Sequence, residues 1–137
     1  MSRVFVDTSA FVALRNRAER EHEAARQALR ELTAARAQLF TSNYVFSETY
    51  TALLVRAGRH EAIEWGRRFR ATAAIELLRV DDEIEDAAWS LLESYVDKSY
   101  SHVDATSFAL MERHDVTEAF AFDRHFVQHG VAVLPPE

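Results

Sequence analysis

Hydrophobic and polar positions along this chain follow two patterns, short apolar runs and longer stretches with apolar residues at helical spacing. The short runs predict five β-strands, over residues 3–7, 38–41, 75–80, 118–122 and 131–134. The longer stretches predict helices that follow Asp7, cover 20–36, 44–57 and 60–73, and begin at Asp82 and Asp104. Strands and helices therefore alternate throughout the sequence.

The helix that begins at Asp82 has the clearest periodicity. One of its faces collects the apolar side chains of Ile84, Ala87, Ala88, Leu91, Leu92 and Tyr95. Alternation of such helices with short strands is typical of an α/β fold, in which right-handed crossovers leave helices on both faces of a mostly parallel sheet. We find no internal repeat and no linker, so the 137 residues predict a single domain spanning 1–137.

Composition restricts the chemistry available to such a domain. Hydrophobic residues make up 48% of the chain, enough for a packed core, and the sequence has no cysteine. A disulfide framework and a zinc–thiolate site are therefore excluded, and oxygen or imidazole ligands would have to hold any metal, which favours Mg²⁺ or Mn²⁺. With no apolar run of bilayer length and no signal-peptide pattern, we expect a cytoplasmic protein without membrane contact.

The charged residues narrow the functional classes. The formal net charge of −6 argues against a protein that coats nucleic acid through a broad basic surface, but it does not exclude a nuclease with clustered acids. Lys98 is the only lysine and falls in a loop before a helix. This disfavours receiver-like domains and phosphatases with an Asp-x-Asp nucleophile, because both need a catalytic lysine; in addition, Ser9 stands where the second Asp would be.

Four acidic residues are predicted to meet at one edge of the sheet. Asp7 and Asp123 leave the first and fourth strands. Asp104 opens the helix before the fourth strand, and Glu48 lies early in the helix after the second. Strand exits and helix entries share an edge in α/β folds, and ligands bind there. Adjacent carboxylates repel one another unless divalent cations lie among them, and such a metal site hydrolyses phosphodiesters.

Each acid also has a purely structural interpretation. Asp7 and Asp104 are typical N-caps of helices. Glu48 is typical of a solvated helix surface, and Asp123 can close a turn. These interpretations stay open, because the sequence does not determine the order of the strands.

The hydroxyl residues beside two of the acids fit a metal site. Thr8 and Ser9 are candidates for orienting Asp7 or binding a metal-bound water, and Thr106 is the corresponding candidate beside Asp104. Ordinary capping of the helix is an equally good interpretation of Ser9. The hydroxyls therefore support the site without defining it.

Basic residues follow the last acid. Arg124 comes directly after Asp123 and is a candidate for holding a phosphate, with an ordinary surface arginine as the alternative. We interpret His125 as structural or substrate-facing and His129 as a surface residue. Apart from His125 and His129, which could share a helix face, the histidines show no metal-ligand spacing.

Taken in order, these residues resemble the PIN-domain nucleases, and in particular the VapC-type toxins of bacterial and archaeal toxin–antitoxin pairs. The resemblance rests on Val-Phe-Val-Asp7-Thr-Ser near the start, Glu48 in the first half, Val-Asp104-Ala-Thr-Ser-Phe-Ala-Leu-Met later and Phe-Asp123-Arg-His-Phe near the end. It covers nearly the whole chain. Asp115 departs from the family pattern, which often has glycine in the turn before the fourth strand, although aspartate tolerates turn conformations.

The resemblance implies a three-layer α/β/α PIN-like fold around a mostly parallel sheet of about five strands, and a Mg²⁺- or Mn²⁺-dependent endoribonuclease. The acidic quartet of the family, which binds metal and carries catalysis, corresponds here to Asp7, Glu48, Asp104 and Asp123. Thr8 or Ser9 matches the helper hydroxyl, and Glu48 would complete the metal shell or help to deprotonate the attacking water.

The resemblance also implies partners. They are an RNA substrate, a second copy of the chain in a homodimer, and a cognate antitoxin whose tail enters the acidic groove. Two alternatives remain open at this point. One is a PIN nuclease that serves RNA maturation, and the other is a PIN module that binds RNA or protein without cleaving it.

Overall fold

A five-stranded parallel sheet forms the centre of the fold in a computed structural model that describes residues 2–137. The strands are β1 (Arg3–Val6), β2 (Gln38–Ser42), β3 (Ile75–Leu78), β4 (Glu118–Phe120) and β5 (Ala132–Leu134). The helices within these residues are α1 (Thr8–Arg15), α2 (His22–Ala34), α3 (Asn43–Ala57), α4 (Arg59–Ala71), α5 (Asp82–Ser94), α6 (His102–Arg113) and α7 (Arg124–Gln128).

The strands lie in the order β3-β2-β1-β4-β5, and every neighbouring pair is parallel. This confirms the predicted α/β class and the number of strands. Right-handed crossovers place the helices that follow β1 and β2 on one face and the helices that follow β3 and β4 on the other. The direction of travel therefore reverses between β1 and β4, and a crevice opens there at the carboxyl ends of the strands.

The core is continuous along the central strand. Val4 and Phe5 are fully buried and Val6 is 1% exposed, as expected for a strand covered by helices on both faces. Val6 pairs in register with Phe120 of β4, which is also fully buried. Packing thus fixes the register of β1 against β4, and with it the relative positions of the residues that follow the two strands. No helix within residues 2–137 is long and apolar enough to cross a bilayer.

Several predicted boundaries and one predicted environment were wrong. Strand β3 ends at Leu78 rather than at residue 80, and helices α2 and α4 end at Ala34 and Ala71 rather than at residues 36 and 73. Helix α6 begins at His102 rather than Asp104, because Ser101 is its N-cap and accepts a hydrogen bond from the Asp104 backbone N–H at 3.0 Å. Strand β4 ends at Phe120, two residues earlier than expected. His129 is half-buried rather than on the surface, since its ring stacks on Phe108 at 4.1 Å between centroids.

Two of the turns with a positive backbone φ bear on the sequence predictions. Asp115, in the turn before β4, has a φ of 53°, so the conformation often given by glycine is adopted here by aspartate, as expected. Gly58 ends α3 with a φ of 96° and also caps α4, so one residue joins two long helices. The predicted end of α3 at Gly58 is confirmed.

Candidate active site

Two of the predicted acids leave neighbouring strands of the sheet. Asp7 follows β1 directly and is the N-cap of α1, and Asp123 follows β4 and is the N-cap of α7. The Asp7 backbone N–H donates to the Phe120 carbonyl at 3.0 Å, so the pairing of β1 with β4 extends as far as the acid. Asp7 is buried and Asp123 is partly exposed. Both therefore cap a helix and also face the crevice at the strand ends.

Asp104 meets Asp123 through a histidine. The Nδ1 atom of His125 lies 2.8 Å from Asp104 Oδ2 and 3.5 Å from Asp123 Oδ1. One ligand atom from each of these three residues falls within a span of 4.8 Å. Asp104 Oδ2 also accepts the Ser101 backbone N–H at 3.2 Å, which completes a capping box. The two residues that were predicted separately thus form one compact group, with His125 between them.

Glu48 joins the site from the other side. It lies in the second turn of α3, as predicted, and is half-buried beside Thr8, whose hydroxyl donates to the Val45 carbonyl at 3.5 Å. Burial raises the pKa of Glu48 above its usual value, the nearby Thr8 hydroxyl opposes the rise, and the charges of Asp104 and Asp123 add to it. The pKa of Glu48 therefore depends on the charges of Asp104 in α6 and of Asp123 after β4.

Asp7 has the most perturbed ionisation in the cleft. Burial raises its pKa from 3.8 to about 7, although hydrogen bonds from the Ser9 hydroxyl and backbone N–H lower it. The negative charges of Asp104 and Asp123 contribute to the rise. The charges of Asp104 and Asp123 thus act on both Asp7 and Glu48, as expected for carboxylates gathered at one sheet edge.

Ser9 connects the two strand exits. Its hydroxyl donates to Asp7 Oδ2 at 2.6 Å and accepts from the Phe122 backbone N–H at 2.9 Å. The hydroxyl therefore orients the Asp7 carboxylate and at the same time fixes the segment that carries Asp123. This is the orienting contact predicted for Ser9, together with a tie to β4 that the sequence did not reveal.

Thr106 and Arg124 do not contact the acids in the way that Thr8 and Ser9 do. The Thr106 side chain is fully buried and donates to the Val103 carbonyl at 2.7 Å, within its own helix. Its hydrogen bond thus goes to the backbone and not to the neighbouring Asp104. Arg124 is exposed at the start of α7, next to Asp123.

Three of the four predicted acids line an open cleft with a volume of about 430 Å³, and Asp104 is not part of its wall. Asp7, Glu48 and Asp123 contribute to its wall, as predicted. The wall also contains three charged residues that the sequence interpretation missed: Glu19, Glu21 and Arg56. The available signal for Arg56 was its position eight residues after Glu48 on one helix, whereas the two glutamates reach the cleft through an irregular segment without periodicity.

The donor atoms of the site suit a hard divalent cation. Carboxylate oxygens and one imidazole nitrogen are present, and thiolates are absent from the sequence. Burial is the main reason that the pKa of Asp7 is raised, and the nearby charges of Asp104 and Asp123 add to it, so a cation at this place would favour the ionised carboxylate. Acids collected at the switch point of a parallel sheet thus define the class of protein, an α/β protein with an acidic cluster consistent with a metal site.

Comparison with known proteins specifies the family. The family model of the PIN domain matches residues 4–131, and the chain therefore belongs to the PIN-domain family. It is 36% identical over 135 residues to the 23S rRNA-specific endonuclease VapC20 of Mycobacterium tuberculosis, a match covering 98% of this chain and 99% of the relative. The VapC-type resemblance predicted from the sequence is confirmed.

Solved structures agree with this assignment. The crystal structure of Mycobacterium tuberculosis VapC20, a sarcin–ricin loop cleaving toxin, matches with a TM-score of 0.85 and 34% identity, over 94% of this chain and 96% of that one. FitAcB from Neisseria gonorrhoeae shares the fold with a TM-score of 0.72 at 16% identity, over 97% of both chains. The predicted PIN-like fold is confirmed.

Proposed function

We propose that this protein is a metal-dependent endoribonuclease of the large ribosomal RNA and the toxin of a VapBC-type pair, acting in the cytoplasm as a single domain. The observation that carries the proposal is the convergence of four carboxylates at the β1/β4 crevice: Asp7, Glu48, Asp104 and Asp123. The choice of RNA rests on the 36% identity to a 23S rRNA-specific endonuclease. Structured RNA is read by proteins mainly at loops, where unpaired bases and backbone are accessible to an open cleft.

Mg²⁺ or Mn²⁺ is the proposed cofactor. Asp104 and Asp123 supply the nearest carboxylates, and Asp7 and Glu48 complete the acidic set from β1 and α3. The bound ion would polarise the phosphodiester and stabilise the leaving oxygen. The residues fit this role, because burial and the charges of Asp104 and Asp123 both disfavour the Asp7 carboxylate, and a cation among the acids would offset that penalty.

The remaining contacts position these groups. Ser9 holds the Asp7 carboxylate at 2.6 Å, and His125 lies between Asp104 and Asp123. Glu48 accepts the proton of the attacking water, a role that suits a carboxylate whose pKa is raised above its usual value by burial. The nearby Thr8 hydroxyl opposes the rise and so favours the ionised form of Glu48.

Metal-dependent cleavage of ribosomal RNA is the test of this function. Purified protein without antitoxin is incubated with ribosomes and with Mg²⁺, Mn²⁺ or EDTA, and 23S fragments are mapped by primer extension. We expect one discrete cut that EDTA abolishes and that Asp104→Asn reduces by roughly 100-fold or more, because the change removes a ligand and its charge. Glu112→Gln is the matched control, since it removes one exposed carboxylate from the far end of the same helix.

Equal activity of Asp104→Asn and Glu112→Gln would refute the assignment of the site. Cleavage that persists in EDTA would refute the metal. If folded wild-type protein cuts no ribosomal RNA but cuts a precursor transcript, the function is RNA maturation instead. A protein that binds RNA without cutting it under any of these conditions is a binding module.

A further inference from the structure

The cleft carries a large excess of negative charge for an enzyme whose substrate is a polyanion. Five acidic side chains line it: Asp7, Glu19, Glu21, Glu48 and Asp123. Among the side chains of residues 2–137 that form its wall, Arg56 alone is a permanent cation. One divalent ion offsets two of these charges, so an approaching RNA strand still meets net repulsion. Arg56 is the group in the wall that attracts phosphate.

Arg56 lies on the same face of α3 as Glu48. The two residues are separated by eight positions, and Ala52 between them also lines the cleft. At 1.5 Å per residue, the two side chains leave the helix roughly 12 Å apart along its axis. Arg56 therefore lies about two helical turns beyond Glu48. An RNA chain in the cleft would meet it at a phosphate next to the scissile one, not at the scissile phosphate itself.

The guanidinium is already paired with an anion of the protein. Arg56 Nη1 donates to Glu19 Oε1 at 2.5 Å, and the Asn16 side-chain amide donates to Glu19 Oε2 at 3.0 Å. Glu19 is thus held through both oxygens in the position where Arg56 would bind a phosphate, since carboxylates and phosphates present similar oxygen pairs to a guanidinium. The Arg56 side chain is 55% exposed and that of Glu19 is 20% exposed, so a phosphate can reach the guanidinium from solvent while the carboxylate stays in place.

We propose that Arg56 binds a backbone phosphate of the RNA next to the scissile one, and that Glu19 holds the guanidinium over the cleft until that phosphate replaces it. The inference rests on the proposed ribonuclease function and extends it to a specific contact. Arg56 is a substrate-binding residue, and Glu19 is a positioning residue that competes with the substrate. Asn16 retains Glu19 when the exchange takes place.

The test is the steady-state cleavage of a fluorescein-labelled stem–loop RNA with the sequence of the sarcin–ricin loop. We expect Arg56→Gln to raise KM about tenfold with kcat unchanged, the effect of losing one charge-assisted contact of about 1.4 kcal/mol. The slope of log KM against log salt falls by about 0.7, because one phosphate contact to a single strand is lost. Arg68→Gln is the control, since Arg68 pairs with Glu64 on α4 and does not line the cleft.

Glutamate variants separate the exchange from a general charge effect. Glu19→Gln and Glu21→Gln each remove one negative charge from the same cleft, but only Glu19 contacts Arg56. We expect Glu19→Gln to lower KM more than Glu21→Gln, and the two to become equal when Arg56→Gln is present, as a double-mutant cycle requires. Arg56→Lys keeps the charge without the planar fork and falls between wild type and Arg56→Gln.

Several outcomes would overturn the inference. One is that Arg56→Gln leaves KM unchanged or changes only kcat. Another is that Glu19→Gln and Glu21→Gln have equal effects on KM in the wild-type background. A third is that Arg56→Gln loses antitoxin binding while its KM for RNA stays the same. If the wild-type protein does not cleave the RNA, the proposed function fails, and Arg56 is judged by fluorescence anisotropy with the same RNA. Thermal melts confirm that each variant is folded.

Discussion

Asp7 is subject to two opposite influences at the scale of the residue. Hydrogen bonds from Ser9 and its position at the start of α1 stabilise the carboxylate, whereas burial and two neighbouring acids disfavour it. Burial dominates, and the pKa of Asp7 rises to about 7. The metal-free protein therefore keeps an ionisable group at neutral pH whose charged form destabilises the fold.

This raised pKa predicts a pH-dependent gain of stability in Asp7→Asn. The folded state holds the Asp7 proton more tightly than the unfolded state, so this stability is complete below pH 3.8 and is lost as the pH rises through about 7. Asparagine carries no charge and avoids that loss. In EDTA at pH 8 we expect the free energy of unfolding of Asp7→Asn to exceed that of wild type by up to ~4 kcal/mol, with little difference at pH 4.

Urea unfolding at the two pH values measures this difference. Asp86→Asn is the control, because Asp86 is exposed on α5 and its replacement should change stability equally at both. The electrostatic account of Asp7 is wrong if the advantage of Asp7→Asn over wild type is the same at pH 4 and pH 8.

The helix N-termini show why sequence reasoning about the site succeeded in part. Asp7 is the N-cap that the structural interpretation predicted, whereas Asp104 stands at the third position of a capping box and Asp123, interpreted as closing a turn, is an N-cap. The capping signal locates such acids because helices that follow parallel strands begin at the same edge. It misplaced the start of α6, since Ser101 precedes Asp104 and is the true cap. Helix α7 was not predicted, because five residues are too few to show a period.

The junction of α3 and α4 gives a prediction at the scale of the element. Gly58 joins the two helices with a φ of 96° and a ψ of 167°, a region that only glycine occupies without strain. We expect Gly58→Ala to lower the free energy of unfolding by about 1–3 kcal/mol, although a Cβ there meets no atom within 4 Å. The cause is backbone strain alone.

Gly66, in the middle of α4, is the matched control for Gly58. A Cβ on Gly66 meets only the Phe46 ring at 3.9 Å, an ordinary contact, so Gly66→Ala should stabilise the protein by up to about 1 kcal/mol. Thermal melts of the two variants measure the expected loss of stability in Gly58→Ala and the expected gain in Gly66→Ala. If both substitutions change stability in the same direction, the strain assigned to Gly58 is absent.

The whole molecule shows what the sequence could not provide. Periodicity located all five strands, but the order β3-β2-β1-β4-β5 depends on which way each crossover turns, and local sequence does not encode that choice. The contact of His125 with Asp104 spans 21 positions, and Arg56 reaches Glu19 across 37. Contacts of this kind appear only once the helices are packed, which is why the added charges of the cleft were missed.

The toxin assignment predicts the behaviour of the intact protein with its partner. Because VapC-type proteins are paired with antitoxins, we expect a short reading frame directly upstream whose product binds this chain and abolishes its cleavage of ribosomal RNA. Co-expression followed by size-exclusion chromatography with light scattering measures the complex, and the chain alone should elute as the proposed homodimer. A monomer, or an upstream product that leaves cleavage unaffected, would contradict these assignments.

The Ser9 hydroxyl, which accepts a hydrogen bond from a backbone N–H 113 positions further along the chain, has a consequence for synthesis in the cell. The Asp7 and Asp123 carboxylates come together only when β4 has been translated and paired with β1. A ribosome that has made the first hundred residues therefore carries a chain with only two of the four acids, Asp7 and Glu48, and no complete site. If the substrate is ribosomal RNA, the translating ribosome is exposed to a complete active site only near the end of each round of translation.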